Sequence, residues 1–206
     1  MTERSETGYL AVMARPREFD EEEALGRVMR VFWDRGYQAS TFADLTKAAD
    51  VRKQSLYGVF GDKRSLFLKS LALYRNQTLS KAREVVSEAD SPLEGIARLL
   101  RYAARRPGPR EGPSGCLMAN TALELGLSDS DVAAELKRMF RATEEILTAA
   151  VKKGQEQGEI TTRFDSAAIG QSLANTINGL RILQNTGATS QQAKTVVDMA
   201  LAAIKS

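Results

Sequence analysis

The 206-residue chain is predicted to be an all-α protein of about nine helices. Almost every patterned stretch repeats its apolar residues at spacings of three and four, which is the period of an α-helix. Residues that cap helices stand at the ends of these stretches, and no segment alternates as a β-strand does. Apolar residues make up 43% of the chain, enough to form a substantial core in one domain or two small ones.

The first two helices are marked by spacing and by capping residues. The first has apolar residues at i, i+3, i+4 and i+7: Leu25, Val28, Met29 and Phe32. Gly36 stands where that helix would end, because glycine accepts the left-handed conformation of a C-terminal cap. A short helix follows over about 42–49, and Thr41 and Asp44 have the spacing of a capping box at its start.

Seven more helices are predicted along the rest of the chain. The third covers about 53–60, and Gly61-Asp62 then opens a long helix towards Ser87. Ser91 and Pro92 open the fifth, because serine caps and proline is tolerated at the first helical position. A proline-rich loop follows over 106–113. The last four helices have these predicted limits: about 115–125, from Ser128 and Asp131 to Gly158, from Asp165 to near Gly187, and after Ser190.

The composition excludes several classes of active site. There is no histidine, so the chain has no Ser-His-Asp or Cys-His catalytic group and no imidazole metal ligand. Cys116 is the only cysteine, which excludes an intrachain disulfide and a multi-cysteine zinc or iron–sulfur site. A site for Mg²⁺ or Ca²⁺ made of carboxylates remains open, but no particular metal site and no cofactor are predicted.

The ends and the thiol content predict a cytoplasmic protein. No signal peptide is recognisable before Val12, no apolar stretch approaches the length of a membrane span, and one unpaired cysteine suits a reducing compartment. Residues 1–17 are predicted to form a disordered or flexible arm. Met13 is a second candidate for the start of translation beside Met1.

The positive charge of the chain is concentrated in one stretch. Residues 41–75 hold seven basic and three acidic residues, a net charge of +4, whereas the whole chain carries only +3. The rest of the chain therefore sums to −1. A local basic surface is typical of a face that binds a polyanion, although solvated helices often carry one as well.

This basic stretch contains the pattern of a helix-turn-helix. The two short helices meet at Ala49-Asp50-Val51, where Asp50 occupies the turn position that needs a left-handed residue. Leu45, Leu56 and Phe60 are expected to form the inner face. The outer face of the second helix presents long donors that suit the major groove of DNA: Arg52, Lys53, Gln54, Ser55 and Tyr57. Helix pairs with basic faces also occur in proteins that never meet DNA.

Residues 18–75 resemble the N-terminal DNA-binding domain of TetR-type transcriptional regulators. The resemblance is carried by these residues: Phe32 to Gly36 with Tyr37, Thr41, Asp44, Ala48 to Val51, Leu56-Tyr57, Phe60, Gly61-Asp62-Lys63, Leu66 and Phe67. The sequence departs from the family pattern at Asp50 (commonly glycine), Arg52 (commonly Ser or Thr) and Val59 (often His or Tyr). The predicted DNA contacts are Thr41, Arg52, Lys53, Gln54, Ser55, Tyr57 and Lys63, with Lys63 anchoring a phosphate at a helix N-terminus.

The resemblance implies two domains and a homodimer. Residues 18–65 would form the DNA-binding domain, and residues 66–206 a helical domain for ligand binding and dimerisation. The last two helices would join the subunits, and their faces are rich in small residues that permit close packing: Ala167, Ala168, Gly170, Ala174, Ala200, Ala202 and Ala203. Packing within one chain explains such faces equally well.

Candidate ligand or sensor residues lie in the larger domain, although each suits an ordinary core or surface position too: Tyr74, Tyr102, Cys116, Met118, Asn120, Phe140 and Ile177. Asn175, Asn178 and Arg181 are further polar groups near apolar helix faces. If Ser114 caps a helix, Cys116 lies in its first turn, where the helix dipole favours the thiolate. Residues 115–120 also resemble a TetR subgroup that includes sensors of electrophiles or oxidants. The alternative for Cys116 is a small buried hydrophobic residue.

The predicted function is sequence-specific DNA binding by a transcriptional repressor. Its partners would be a palindromic double-stranded operator, a second copy of the chain, and an unknown small-molecule effector whose binding, or the modification of Cys116, releases the operator. The alternative is an all-α enzyme or ligand-binding protein without DNA binding. No catalytic group supports an enzyme, because Glu124, Glu144 and Glu145 are isolated acids expected to be solvated.

Overall fold

The computed structural model describes residues 19–108, 112–113, 115–126 and 128–206. These residues form nine α-helices: α1 Glu21–Ala39, α2 Phe42–Ala49, α3 Lys53–Phe60, α4 Lys63–Ser87, α5 Pro92–Ala104, α6 Leu117–Leu125, α7 Ser130–Glu156, α8 Ser166–Leu183 and α9 Ser190–Ile204. Within the described ranges there is no β-strand, and one isolated bridge pairs Ile160 with Lys205. The predicted all-α class and helix number are confirmed. The arm predicted over 1–17 lies outside the described residues.

Side-chain caps fix most helix starts where the sequence predicted them. Thr41 forms the full capping box with Asp44, and Ser91 and Asp165 each accept a hydrogen bond from the first turn of their helix. The start of α7 differs from the prediction, because Asp129 rather than Ser128 caps it, accepting from the backbone of Asp131 and Val132. No described helix is both long and apolar enough to cross a membrane.

The first helix is broken at Gly36 instead of ending there. Gly36 has φ 79° and ψ 173°, a backbone conformation that L side chains rarely adopt, and helical structure resumes as far as Ala39. The Ser40 hydroxyl, fully buried, donates to the Gly36 carbonyl at 2.6 Å and closes this last turn. The break turns the end of α1 towards α6.

Two hydrophobic cores divide the molecule. The first joins α1 to α3 with the first part of α4, α6 and the start of α7, and the second joins the rest of α4 and α7 with α5, α8 and α9. The domain boundary predicted between 65 and 66 falls inside α4, and Phe67 and Leu71, beyond it, belong to the first core. α6 therefore packs mainly against α1 and α7, with smaller contacts to α4 and α8.

Two of the small residues predicted on the dimer face of α8 point inwards instead. Gly170 is buried, and a Cβ on it would lie 2.2 Å from Thr148 Oγ1 of α7. Ala174 is buried one turn later, in the second core. Their small size serves the close contact between α7 and α8 within the chain.

Candidate nucleic-acid interface and ligand cavity

The turn between α2 and α3 has the geometry of a helix-turn-helix. Asp50 is left-handed, with φ 55° and ψ 42°, and no other described residue except glycine has positive φ. The Val51 amide donates back to the Thr46 carbonyl at 3.4 Å, so the chain reverses within two residues. Leu45 and Leu56 are fully buried behind this turn, as predicted. The inner face of α3 is thereby fixed, and its other face turns to solvent.

An aromatic stack sets α3 against the start of α2. The rings of Phe42 and Tyr57 lie 4.0 Å apart at 13°, and the Lys53 ammonium lies 5.8 Å from the centre of the Tyr57 ring. Stacked rings at this distance stabilise the fold by more than the burial of their surface alone accounts for. Tyr57 nevertheless keeps 42% of its surface exposed, so the stack orients α3 without covering its outer face.

The residues predicted to contact DNA differ in their exposure and in the bonds that they already form within the chain. Arg52, Lys53, Gln54 and Tyr57 are all exposed, and Arg52 precedes α3 without a side-chain capping bond. Ser55 is half-buried. Thr41 is exposed, but its hydroxyl donates to Asp44 at 2.6 Å. The half-buried Lys63, the first residue of α4, lies with its ammonium 4.4 Å from the centre of the Tyr37 ring.

Five of the seven candidate ligand residues meet around one cavity of about 50 Å³ between the two cores: Tyr74, Tyr102, Cys116, Phe140 and Ile177. The other two do not line it. Met118 is fully buried in the first core, and Asn120 lies near Asn185, whose amide donates to it at 3.5 Å. Asn178 and Arg181, noted in the sequence as polar groups near apolar faces, line the cavity instead.

Cys116 is a buried residue at the start of α6, not a member of its first turn. It occupies the N-cap position and is 7% exposed. Ser114, predicted to cap this helix, lies outside the described residues. Burial, and next the nearby Cys116 thiol, raise the pKa of Tyr74 well above its ordinary value. The Tyr74 phenol is therefore a neutral hydroxyl beside the thiol.

Comparison with known proteins identifies the family. The model of the bacterial regulatory proteins of the tetR family matches residues 28–69. The model of the tetracyclin repressor-like C-terminal domain matches residues 92–200, which is more than half of the chain. The chain belongs to the TetR family. It is a DNA-binding transcriptional regulator, as the sequence predicted, and TetR-family regulators are not enzymes.

Relatives of this TetR-family protein include repressors and an operator complex. It is 29% identical over 179 residues to the HTH-type transcriptional repressor ComR of Escherichia coli strain K12, covering 86% of this chain and 85% of ComR. A cysteine mutant of the TetR family transcriptional regulator CifR, in complex with 26-bp double-strand operator DNA, is 32% identical with a TM-score of 0.82, covering 93% of this chain and all of that chain. Reduced NemR of Escherichia coli shares the fold at 17% identity, with a TM-score of 0.80, covering 89% of this chain and 95% of NemR.

Several of the basic residues over 41–75 of this TetR-family protein are already bonded within the chain. Arg64 is bonded to Asp129 and Asp131 at the start of α7, and Arg75 is paired with Glu135. Lys69 donates to the last carbonyls of α3. Three basic residues of the helix-turn-helix are exposed: Lys47, Arg52 and Lys53. Lys63 donates to the Gln38 carbonyl at 3.5 Å.

Glu124 joins α6 to the DNA-binding head, which is the part of the molecule formed by α1 to α3 and the start of α4. The expectation that Glu124 is a solvated acid is wrong. Its carboxylate accepts hydrogen bonds from the Tyr37 amide at 2.9 Å and the Gln38 amide at 2.7 Å, just after the break at Gly36. A Cβ on Gly36 would lie 2.9 Å from the same carboxylate. The broken turn of α1 thus exposes two amides that Glu124 binds, a role that no local pattern in the sequence signals.

Proposed function

We propose that this protein is a homodimeric repressor that binds a palindromic operator through two copies of α3 and releases it when an effector binds. The observation that carries the proposal is the exposed outer face of α3, where Arg52, Lys53 and Gln54 stand together behind a rigid turn. The operator complex of CifR supports this use of the face. The protein would meet its operator in the cytoplasm.

The side chains of the α3 face divide into base readers and phosphate anchors. Lys53 reaches guanine acceptors and Gln54 pairs with adenine in the major groove, since these are the contacts their donors favour. Tyr57, Ser55 and Thr41 bond phosphates at its border, and Lys63 supplies a charge at the N-terminus of α4. Arg52, which replaces a capping residue, extends the basic edge.

The dimer would form through exposed stripes on α8 and α9. On α8 one stripe of exposed residues recurs at intervals of four and three: Ala168, Ser172, Asn175, Gly179 and Ile182. On α9 a second stripe has the same intervals: Gln192, Val196, Met199 and Ala203. A Cβ on Gly179 would meet no atom within 4 Å, and Met199 is 66% exposed. Two such pairs pack as a four-helix bundle, because spacing of this kind gives coiled-coil seams.

The effector would bind in the cavity between the two cores. Apolar side chains such as Phe140 and Ile177 line it, while Asn178 and Arg181 give it polar groups, as ligand cavities generally have. Modification of Cys116 is a second route to release, favoured by the position of its thiol on the cavity wall. Cys116→Ser should abolish a response to oxidants or electrophiles and keep a response to reversible ligands. An unchanged response would exclude thiol sensing.

Fluorescence anisotropy with the upstream region of the protein's own gene tests operator binding. Lys53→Ala should cost about 1–3 kcal/mol on the operator and relax base preference, whereas Lys63→Ala should weaken all duplexes and reduce the salt slope by about 0.9. Lys137→Ala, an exposed lysine on α7, is the matched control. Equal competition by operator and scrambled duplexes at every salt concentration would refute the proposal.

Sedimentation measurements of the oligomeric state test whether the exposed stripes of α8 and α9 form the dimer interface. Met199→Arg should place a charge in the seam and yield monomers at micromolar concentration, with operator affinity falling because one half-site is lost. Lys194→Arg, on the same helix and bonded to Asp198, keeps its charge and should stay dimeric. A dimer that survives Met199→Arg would place the interface elsewhere.

A further inference from the structure

The ligand cavity adjoins a second space that reaches the DNA-binding head. This outer space has a volume of about 200 Å³, and four residues line both it and the inner cavity: Tyr74, Thr78, Tyr102 and Arg181. Trp33 of α1 lines the outer space only. The two spaces are therefore neighbours with a shared wall: an inner chamber in the effector-binding domain and an outer chamber at the seam with α1.

The outer chamber is positively charged. The guanidinium carbons of Arg105 and Arg181 lie 5.7 and 5.2 Å from the centre of the Tyr102 ring. Lys81 adds a third cation, which is bonded to Glu84 at 2.7 Å. Among the described residues that line the two chambers there is no aspartate or glutamate, and Arg181 forms no ion pair with a described carboxylate. An anion entering here would meet Arg181 without displacing a described acid.

A buried donor points to the same chemistry. The indole Nε1 of Trp33 is buried without a hydrogen-bond partner among the described residues. A buried donor left without an acceptor costs about 1–3 kcal/mol, so an acceptor that reaches this covered N–H after the side chains over it move would be favoured. The ring of Trp33 also meets the ring of Tyr74 edge-on at 5.0 Å, which fixes its position at the wall.

The inner chamber suits a hydrocarbon group. Its wall includes Leu99, Met139, Phe140 and Ile177, and apolar surface of this kind favours an occupant without charge. Burial raises the pKa of Tyr74, so its phenol stays neutral and offers a hydroxyl rather than a competing anion. The two chambers together thus present donors and cations outside and apolar walls inside.

We propose that the effector is a small organic anion, an apolar carboxylate that lies across both chambers. Its carboxylate lies at the Arg181 guanidinium, in the chamber that the Trp33 ring also lines, and its hydrocarbon part lies against Phe140 and Ile177. The inference rests on the proposed function, of which it names the ligand class. Because Trp33 of α1 and Arg181 of α8 both line the outer chamber, the carboxylate would contact the head and the effector domain at once.

Trp33 gives the experiment a specific readout, because it is the only tryptophan in the chain. Butyrate, hexanoate and benzoate are titrated at constant ionic strength against their neutral amides, with tryptophan fluorescence as the signal. At least one carboxylate should bind tenfold or more tightly than its amide and release the operator in anisotropy. Arg181→Gln should weaken that carboxylate at least tenfold, and Arg181→Lys should weaken it less.

A matched control variant and the operator assay distinguish failure of the carboxylate inference from failure of the proposed function. Arg83→Gln, at an exposed arginine of α4, should leave carboxylate affinity unchanged. Equal affinity for every carboxylate and its amide, or unchanged binding by Arg181→Gln, overturns the inference. If Arg181→Gln does not fold, the comparison of carboxylate with amide on the unaltered protein decides. Carboxylates that release no operator, while the protein still prefers operator to scrambled DNA, overturn this inference alone; loss of that preference overturns the proposed function.

Discussion

Replacing Glu124 by glutamine tests whether the bond between α6 and the broken turn of α1 holds the DNA-binding head in place. The carboxylate accepts from two backbone amides, at 2.9 Å from Tyr37 and 2.7 Å from Gln38. In Glu124→Gln one oxygen can still accept, but the new NH₂ group faces an N–H donor. The variant therefore loses one charge-assisted bond and leaves one amide of α1 without its acceptor.

The size of the loss follows from these two bonds. A hydrogen bond to a charged group contributes about 1.5–3 kcal/mol, and the half-exposed position of Glu124 reduces this to about 1–2 kcal/mol. Urea denaturation should show a loss of that size in the free energy of unfolding, and the melting temperature should fall by about 2–8 °C for a chain of this length.

Glu145→Gln on α7 is the matched control. Glu145 accepts from Arg141 at 3.0 Å one helical turn away, on an exposed surface, so its removal should cost no more than about 0.5 kcal/mol. If Glu124→Gln destabilises the protein no more than Glu145→Gln does, the bond does not hold the head and the reasoning fails.

Two further predictions concern packing and pH. Gly170→Ala would place a Cβ 2.2 Å from Thr148 Oγ1, so it should lower the free energy of unfolding in urea by about 1–3 kcal/mol. Gly26→Ala has open space around it and should not lower that free energy. Equal effects of the two substitutions would contradict the close contact of α7 and α8. The backbone amide of Ser65 donates to Asp62 and lowers the pKa of that carboxyl below its ordinary 3.8. The folded state then holds fewer protons than the unfolded state, so this stabilisation is present above pH 3.8 and is lost as the pH falls through the lowered value. Asp62→Asn should flatten the melting temperature between pH 5 and 2, and an unchanged slope would exclude this carboxyl as a cause.

Local chemistry made the helix-turn-helix predictable from sequence. The capping box of Thr41 and Asp44 and the left-handed Asp50 depend on residues within a few positions of one another, so their pattern carries their geometry. The same holds for Arg52, whose side chain could be recognised as unable to cap α3. These features needed no knowledge of the rest of the chain.

Contacts between distant segments were not predictable in this way. Glu124 meets an amide 87 positions earlier, and an isolated acid on a helix gives no sign of such a partner. Met118 and Cys116 are both buried at the start of α6, yet only Cys116 lines the cavity, because that choice depends on how α6 lies between the two cores. For Gly170 both packing within the chain and packing between subunits stayed open, since spacing alone does not tell a partner within the chain from one outside it.

Helix α1 contacts both the outer chamber and α6, and this has a thermodynamic consequence for operator release. The middle of α1 carries Trp33, which lines the outer chamber, and the broken end of α1 is bonded to Glu124 of α6. The N-terminus of α6 is capped by Cys116, which lines the inner chamber. An effector releases the operator only if it binds one position of α1 better than another, because a ligand with equal affinity for both shifts nothing. By linkage, the factor by which saturating carboxylate weakens operator binding must equal the factor by which saturating operator weakens carboxylate binding, about 5–150-fold for a typical coupling. Trp33 fluorescence measures one of these factors and labelled operator the other, and a factor of one for a carboxylate that binds would show that it does not shift the equilibrium of α1.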